Sequence, residues 1–357
     1  MTVHGGIRTA LGASLLVAAL SACGDAPGSS VPEPTASSTP PSASPTPSES
    51  PSATATATPT PTAPDVLTSE VLRDAVTVAD IRVHLGELQR IADANGGNRA
   101  TGTSGFDASV AYVEERLVDA GYAVEPQHFV AGGGVASSTN LLVETGGAGD
   151  EVVMFGAHVD SVLAGPGIND NGSGLATLLV IAERMAELPP PDRPVRFAFW
   201  GAEENGPFGS AAYVGQLPEA ERDRIGAYLN FDMLGSPNFI RFVYSEAGAA
   251  PGSQALTELF ATYFQGEDLA WEPIDLTGHA DHGPFVAAGI PTGGLFSGGA
   301  APKTDAQAAV FGGTPGDFAD ACSHLACDTI ANLSDLALDQ MSDAVAHAVA
   351  TLAAPAP

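Results

Sequence analysis

The chain has 357 residues, with 42 Asp and Glu against 13 Lys and Arg, for a formal net charge of −29. That balance argues against nucleic acid, whose phosphates it would repel, and leaves a solvated acidic surface that attracts cations, cationic peptides included. At 44% hydrophobic residues, the chain can still bury a sizeable core.

The first element is a leader. Arg8 precedes an apolar stretch from Leu11 to Leu20, too short for an ordinary spanning helix, and the stretch ends in Leu20-Ser21-Ala22-Cys23. This order is similar to a bacterial lipoprotein signal, in which residues 1–22 are removed and the Cys23 thiol carries lipid. The expected location is extracytoplasmic, with the chain anchored to the outer face of the cell membrane. Ordinary secretion after cleavage at a nearby small residue is the alternative.

Residues 23–66 are rich in Pro, Ser, Thr and Ala, as in SPTPSESPS. Such a composition cannot bury a core and reads as a disordered linker. At about 3.1 Å per residue where extended, it could hold a folded domain on the order of 100 Å from the membrane. Residues 67–357 have the length of one α/β domain.

Within that domain, Val152-Val153-Met154-Phe155, Val195 to Trp200 and Ala227 to Phe231 are short β-branched or aromatic runs of strand length. Helical stretches lie between them, Ser173–Leu188 after the Gly172 turn and Phe208–Leu217. The alternation predicts a mostly parallel central sheet with helices on both faces. Ligands of such sheets bind beyond the carboxyl ends of the strands. An acid or histidine comes after each predicted strand: His158, then Glu203 and Glu204, then Asp232. Asp170 belongs to the same rim, and His324 is a further candidate.

Singly, each has an ordinary explanation: a turn acid, a helix-dipole acid or a core histidine. Jointly they converge where a metal hydrolase holds its ions.

The segments GAHVDSVLAGPGINDNGSG, RFAFWGAEENGPFGSAAYV, LNFDMLGSPN, ADHGPF, GIPTGGLFSG and CSHLACDT resemble peptidase family M28, specifically its secreted bacterial two-zinc aminopeptidases. The resemblance implies that Asp170 bridges two zinc ions, with His158 and Asp232 on one and Glu204 and His324 on the other. A charge count agrees, because three carboxylates and one shared hydroxide offset two divalent cations. Glu203 is implied as general base and then acid to the leaving amine. On a helical first turn its side chain would diverge from that of Glu204 by about 100°. Asp160, two residues past His158, is expected to orient an imidazole instead of binding metal.

The implied substrates are peptides with a free N-terminus, with Met233 and Phe296 lining a pocket for an apolar first residue. Both residues also suit an ordinary core. The chain departs from the family twice. Ser323 stands where relatives place a tyrosine that donates to the oxyanion, and His279 where they place an arginine near the substrate backbone. The Ser323 hydroxyl reaches less far, and an oxyanion donor is worth roughly 2.7–4 kcal/mol.

Three cysteines leave one to explain in a secreted chain. Cys322 and Cys327 flank His324, and a disulfide closing that loop, as in the resembling enzymes, leaves Cys23 for lipid. Asp339 and Asp343 match a calcium-binding pair in relatives, although the companion acid is out of register, with Asp74 nearest. A monomer is expected. Competing functions are a two-metal amidohydrolase or deacylase, a glutaminyl cyclase, which typically uses one zinc, and a non-catalytic binding lipoprotein on the same fold.

Overall fold

The computed structural model describes residues 66–131, 136–245, 250–275 and 280–355. The leader, Cys23, the Pro-rich segment up to residue 65 and His279 lie outside the described residues.

Helices α1 (Ser69–Ala75), α2 (Val78–Ala94) and α3 (Ser104–Asp119) come first, followed by strands β1 (Glu125–Ala131) and β2 (Ala136–Glu144). Next are β3 (Val152–His158), α4 (Gly172–Glu187), β4 (Val195–Trp200), α5 (Phe208–Gln216), α6 (Glu219–Asp223) and β5 (Ile225–Asp232). The remainder is β6 (Phe242–Ser245), α7 (Ser253–Gly266), β7 (Glu272–Asp275), α8 (Gly283–Ala287), β8 (Thr292–Phe296), α9 (Asp305–Phe311) and α10 (Asp335–Ala353). The first three helices start at threonines: Thr68, Thr77 and Thr103 each accept a backbone N–H three residues on.

The strands form one sheet in the order β1-β2-β4-β3-β5-β8-β6-β7. Its centre, β4-β3-β5-β8, is parallel throughout. Antiparallel pairings border that centre, with β2 on one side and β6 on the other. The α/β architecture is therefore as the sequence predicts, and the sheet as a whole is mixed.

Period-two alternation divides the core between the two faces. On β3, Val153, Phe155 and Ala157 enter the larger cluster with α4 and α10, while Val152 and Met154 enter a second one with Tyr213 of α5 and Phe285 of α8. Both faces are covered, which explains why all seven β3 residues are buried. Each fully buried large aliphatic or aromatic side chain contributes about 1.5–3 kcal/mol.

Gly156 is required by this packing. The Trp200 Nε1–H donates to the Tyr228 hydroxyl at 2.8 Å across β3, and a Cβ at position 156 would run into both groups. The four parallel strands thus deliver their carboxyl ends to one rim. Among the described residues, no helix is long and apolar enough to cross a membrane.

Candidate metal centre

His158 is the last residue of β3 and Asp232 the last of neighbouring β5. The buried His158 ring has its Nδ1 3.0 Å from the backbone carbonyl of Asp160. A carbonyl only accepts, so Nδ1 carries the proton in the neutral ring and Nε2 is left with a lone pair. Among the described residues, that Nε2 has no hydrogen-bond partner; it lies 3.5 Å from Asp170 Oδ1 and 3.6 Å from Asp232 Oδ1. Asp232 Oδ1 is likewise buried without a hydrogen bond. Buried polar atoms left in this state are costly unless something cationic joins them.

Asp170 stands between two such groups. While its Oδ1 faces His158, its Oδ2 is 3.2 Å from His324 Nε2, which is in turn 3.1 Å from Glu204 Oε2. His158, Asp170 and Asp232 form one donor triad, and Asp170, Glu204 and His324 the other, the ligating atoms of each lying within 4.8 Å of one another. Two triads of nitrogen and carboxylate donors sharing one carboxylate fit a pair of zinc ions.

The electrostatics agree. Burial works against ionisation of Asp170, yet the imidazoles of His158 and His324 beside it hold its carboxyl well below the usual range. Hydrogen bonds to Asp170 and Glu204 push His324 up to about 11. Burial raises Asp232 and Glu204. It also raises Glu203 well above an ordinary glutamate, helped by Asp281, Asp232 and Asp160 against His158.

Glu203 and Glu204 are not on a helical first turn. They occupy the loop after β4, and α5 begins only at Phe208. Gly206, at φ 121°, and Pro207 interrupt the backbone, so the helix cannot start earlier. What orients the pair is the buried Asp160 carboxylate, which accepts the N–H of Glu203 at 3.0 Å and that of Glu204 at 3.3 Å. Asp160 thus meets the imidazole through its backbone carbonyl, with its carboxylate 3.7 Å from the same Nδ1, and holds the glutamates through that carboxylate. Glu203 Oε2 lies 3.9 Å from His158 Nε2.

A cavity of about 380 Å³ opens on Asp170, Glu203, Glu204, Asp232 and His324. Phe296 lines it, whereas Met233 is buried and not among the lining residues. The Ser323 hydroxyl donates to Asp170 Oδ2 at 3.4 Å. A larger hollow of about 560 Å³ between α2, α3 and α4 carries charges already paired to one another, such as Arg116 with Glu183 and Arg184 with Asp80.

Residues 140–349 match the model for peptidase family M28. The chain belongs to that family.

Among similar proteins, leupeptin-inactivating enzyme 1 of Streptomyces exfoliatus is 44% identical over 299 residues, 83% of this chain and 66% of that protein. An aminopeptidase of Pseudomonas aeruginosa is 46% identical over 220 residues, 60% of this chain and 41% of its own length. The chain thus spans less than two thirds of these relatives. A zinc aminopeptidase from Bacillus subtilis superposes with a TM-score of 0.51 at 28% identity, covering 61% of this chain and 50% of that one. The aminopeptidase from Aneurinibacillus sp. strain AM-1 shares the fold, with a TM-score of 0.67 at 18% identity over 81% of this chain and 97% of that one.

In this M28 chain Cys322 and Cys327 form a disulfide, and the closed loop carries Ser323 and His324. His324 sits at φ 59°, a backbone region non-glycine residues seldom enter, on the exposed side of the centre.

Asp339 and Asp343, the acids expected to bind calcium, both lie on α10. Asp343 is taken by Arg73 at 3.3 Å, and the same guanidinium pairs with Glu267 at 2.9 Å and lies 5.0 Å from the centroid of the Tyr263 ring.

Two supporting residues escape sequence reasoning. Fully buried Arg99 donates to the carbonyls of Val159, Pro166 and Gly167, framing the loop between His158 and Asp170. Burial lowers its pKa to about 10. Asp328 accepts the N–H groups of Asn169 and Asp170 at 2.8 and 3.0 Å. Burial pushes it up to about 7 against those two bonds. In the sequence Asp328 lies within the segment CSHLACDT, directly after Cys327.

Proposed function

We propose that this M28 chain is a two-zinc aminopeptidase that removes N-terminal residues, preferentially apolar ones, from peptides with a free amine. The observation that carries the reading is the division of Asp170: one oxygen toward His158, the other toward His324. His158, Asp170 and Asp232 would hold one ion, and Asp170, Glu204 and His324 the other. When bound, such a pair polarises the scissile carbonyl and makes water nucleophilic at neutral pH.

The remaining chemistry belongs to the side chains. Glu203 is the general base: its carboxylate takes a proton from the attacking water and returns it to the leaving amine nitrogen. Burial among carboxylates suits this role, because a glutamate with a raised pKa holds a proton more readily. Asp160 keeps Glu203 and Glu204 in fixed relation through their N–H groups. The carboxylates on the cavity wall favour a free α-ammonium, while Phe296, Tyr244 and Ile274 offer apolar surface to the first side chain.

On the same reading the protein works outside the cytoplasm as a monomer, tethered through lipid on Cys23. Metabolic labelling with a palmitate analogue tests the tether, since label retained by Cys23→Ser would refute it.

The activity is tested with leucine p-nitroanilide and its N-acetyl form. Cleavage of the free-amine compound alone, abolished by chelation and restored by zinc, is the expected result. Cleavage of the acetylated compound would instead identify an amidohydrolase.

A further inference from the structure

Asparagine is followed by glycine three times in this chain, at 95–96, 171–172 and 205–206. That order is chemically labile. With no Cβ on the glycine, its backbone nitrogen has an open approach to the asparagine side-chain carbonyl, and the two groups share one short segment and need no encounter. An asparagine in this setting is protected where something holds its side chain.

The structure separates the three. Asn171 is buried, its Nδ2 donating to the Phe231 carbonyl at 2.8 Å while its Oδ1 accepts the N–H groups of Gly174 and Met233. Asn95 is half-buried, and its Nδ2 donates to the Ile91 carbonyl at 2.8 Å. Asn205 is exposed, and among the described residues no hydrogen bond engages its side chain.

Asn205 also has the most consequential position. It directly follows Glu203 and Glu204, and Gly206 lines the cavity together with both glutamates. The Gly206 N–H closes a turn onto the Glu203 carbonyl at 2.6 Å, and the Gly206 carbonyl accepts the Phe208 N–H at 2.5 Å, where α5 begins. A change in the backbone at 205 is therefore passed to the proposed general base through that turn and to the cavity wall through Gly206.

We propose that Asn205 is a site of spontaneous modification by water, which limits the working life of the catalytic centre. The Gly206 nitrogen bonds to the side-chain carbonyl carbon of Asn205, the bond from that carbon to Nδ2 breaks, and ammonia leaves with the Gly206 amide proton, closing a cyclic imide. Water then opens the ring at either carbonyl and leaves an aspartyl or an isoaspartyl residue at position 205. Either product adds a negative charge beside Glu204. The isoaspartyl form also carries the main chain through the former side chain, lengthening a Cα–Cα step of about 3.8 Å by roughly 1 Å. A displacement on that scale at a reacting group lowers the rate on the order of 10²-fold. Because the Gly206 N–H must leave the Glu203 carbonyl before the ring closes, the modification is gradual and follows the age of the protein. The chemical assignment stands on the loop alone, whereas the loss of function rests on the aminopeptidase reading.

The zinc-loaded chain is aged at mildly alkaline pH and sampled for peptide mapping by mass spectrometry, isoaspartyl content, zinc content and leucine p-nitroanilide turnover. The amide at 205 should be lost ahead of those at 95 and 171, with turnover falling in proportion to isoaspartyl content at 205 while zinc is retained. Asn205→Gln, whose longer side chain closes a ring less readily, should begin at wild-type turnover and lose it several-fold more slowly, and the melting temperature checks its fold.

An amide at 205 that stays intact through ageing, or is lost later than those at 95 or 171, overturns the assignment on wild-type protein alone. Turnover that holds while 205 is converted, or equal decay in folded Asn205→Gln, overturns the limit on working life. Fresh zinc-loaded wild type that cleaves no free-amine substrate overturns the aminopeptidase reading, and the mapping still decides the modification.

Discussion

The backbone N–H of Asp170 donates to the carboxylate of Asp328 at 3.0 Å, joining residues 158 apart in the chain. Because the N–H of Asn169 donates to the same carboxylate, the segment after the disulfide fixes the backbone of the acid common to both triads. His324, inside the disulfide loop, and Asp170 are therefore set relative to each other by one buried acid.

Removing that acid should damage metal binding before it damages the fold. Asp328→Ala leaves two buried N–H groups without acceptors, at about 1–3 kcal/mol each, and should weaken zinc binding roughly 10–100-fold. Asp328→Asn keeps an acceptor oxygen and should lie between Ala and wild type. Competition against a chromophoric chelator, alongside thermal unfolding, measures both effects; wild-type zinc affinity in Asp328→Ala would refute the coupling.

Glu203 should separate binding from chemistry. Glu203→Gln is expected to retain zinc while kcat falls about 10²–10⁴-fold, the range for loss of a general base. Zinc content and leucine p-nitroanilide turnover on one preparation decide it, and turnover near wild type would remove Glu203 from the mechanism.

The guanidinium beside Asp343 predicts indifference to calcium. Adding calcium to calcium-free protein should leave the melting temperature unchanged. Arg73→Gln should cost about 0.2–1 kcal/mol, as expected for a partly exposed pair. A calcium-dependent rise in the wild-type melting temperature would contradict the pairing of Arg73 with Asp343 at the α1–α10 contact.

Acid sensitivity has a defined contributor at Glu183. Burial opposes its charge, but His84 at 3.4 Å and Arg116 at 2.7 Å outweigh burial and hold its pKa below the ordinary 4.5. A depressed carboxylate pKa stabilises the fold fully above that ordinary value, and the contribution is lost as pH falls through the lower folded-state value. Glu183→Gln should thus show a shallower loss of melting temperature below pH 4.5. Identical acid limbs in variant and wild type would contradict this.

The parts of the molecule legible in its sequence are those governed by burial pattern. The strands β3, β4 and β5 are mostly apolar and almost wholly buried because helices cover both faces, and the ends of β3 and β5 deliver His158 and Asp232. By contrast β1 and β2, reading EPQHFVA and ASSTNLLVE, mix polar and apolar residues at the sheet border and carry little strand signal. The loop position of Glu203 and Glu204 is hidden because the carboxylate holding their N–H groups belongs to Asp160, more than forty residues earlier. Arg99 and Asp328 are hidden for a related reason: the partners they hold are backbone atoms, which leave no residue signature. Met233 is buried, and its thioether lies with the Phe296 ring beside Gly299.

Zinc stoichiometry tests the central claim most directly, because everything else depends on Asp170 serving two triads. After saturation and removal of excess metal, atomic emission should find two zinc ions per wild-type chain and at most one in Asp170→Ala. A wild-type value of one, or two ions retained by Asp170→Ala, would contradict a centre bridged by this carboxylate.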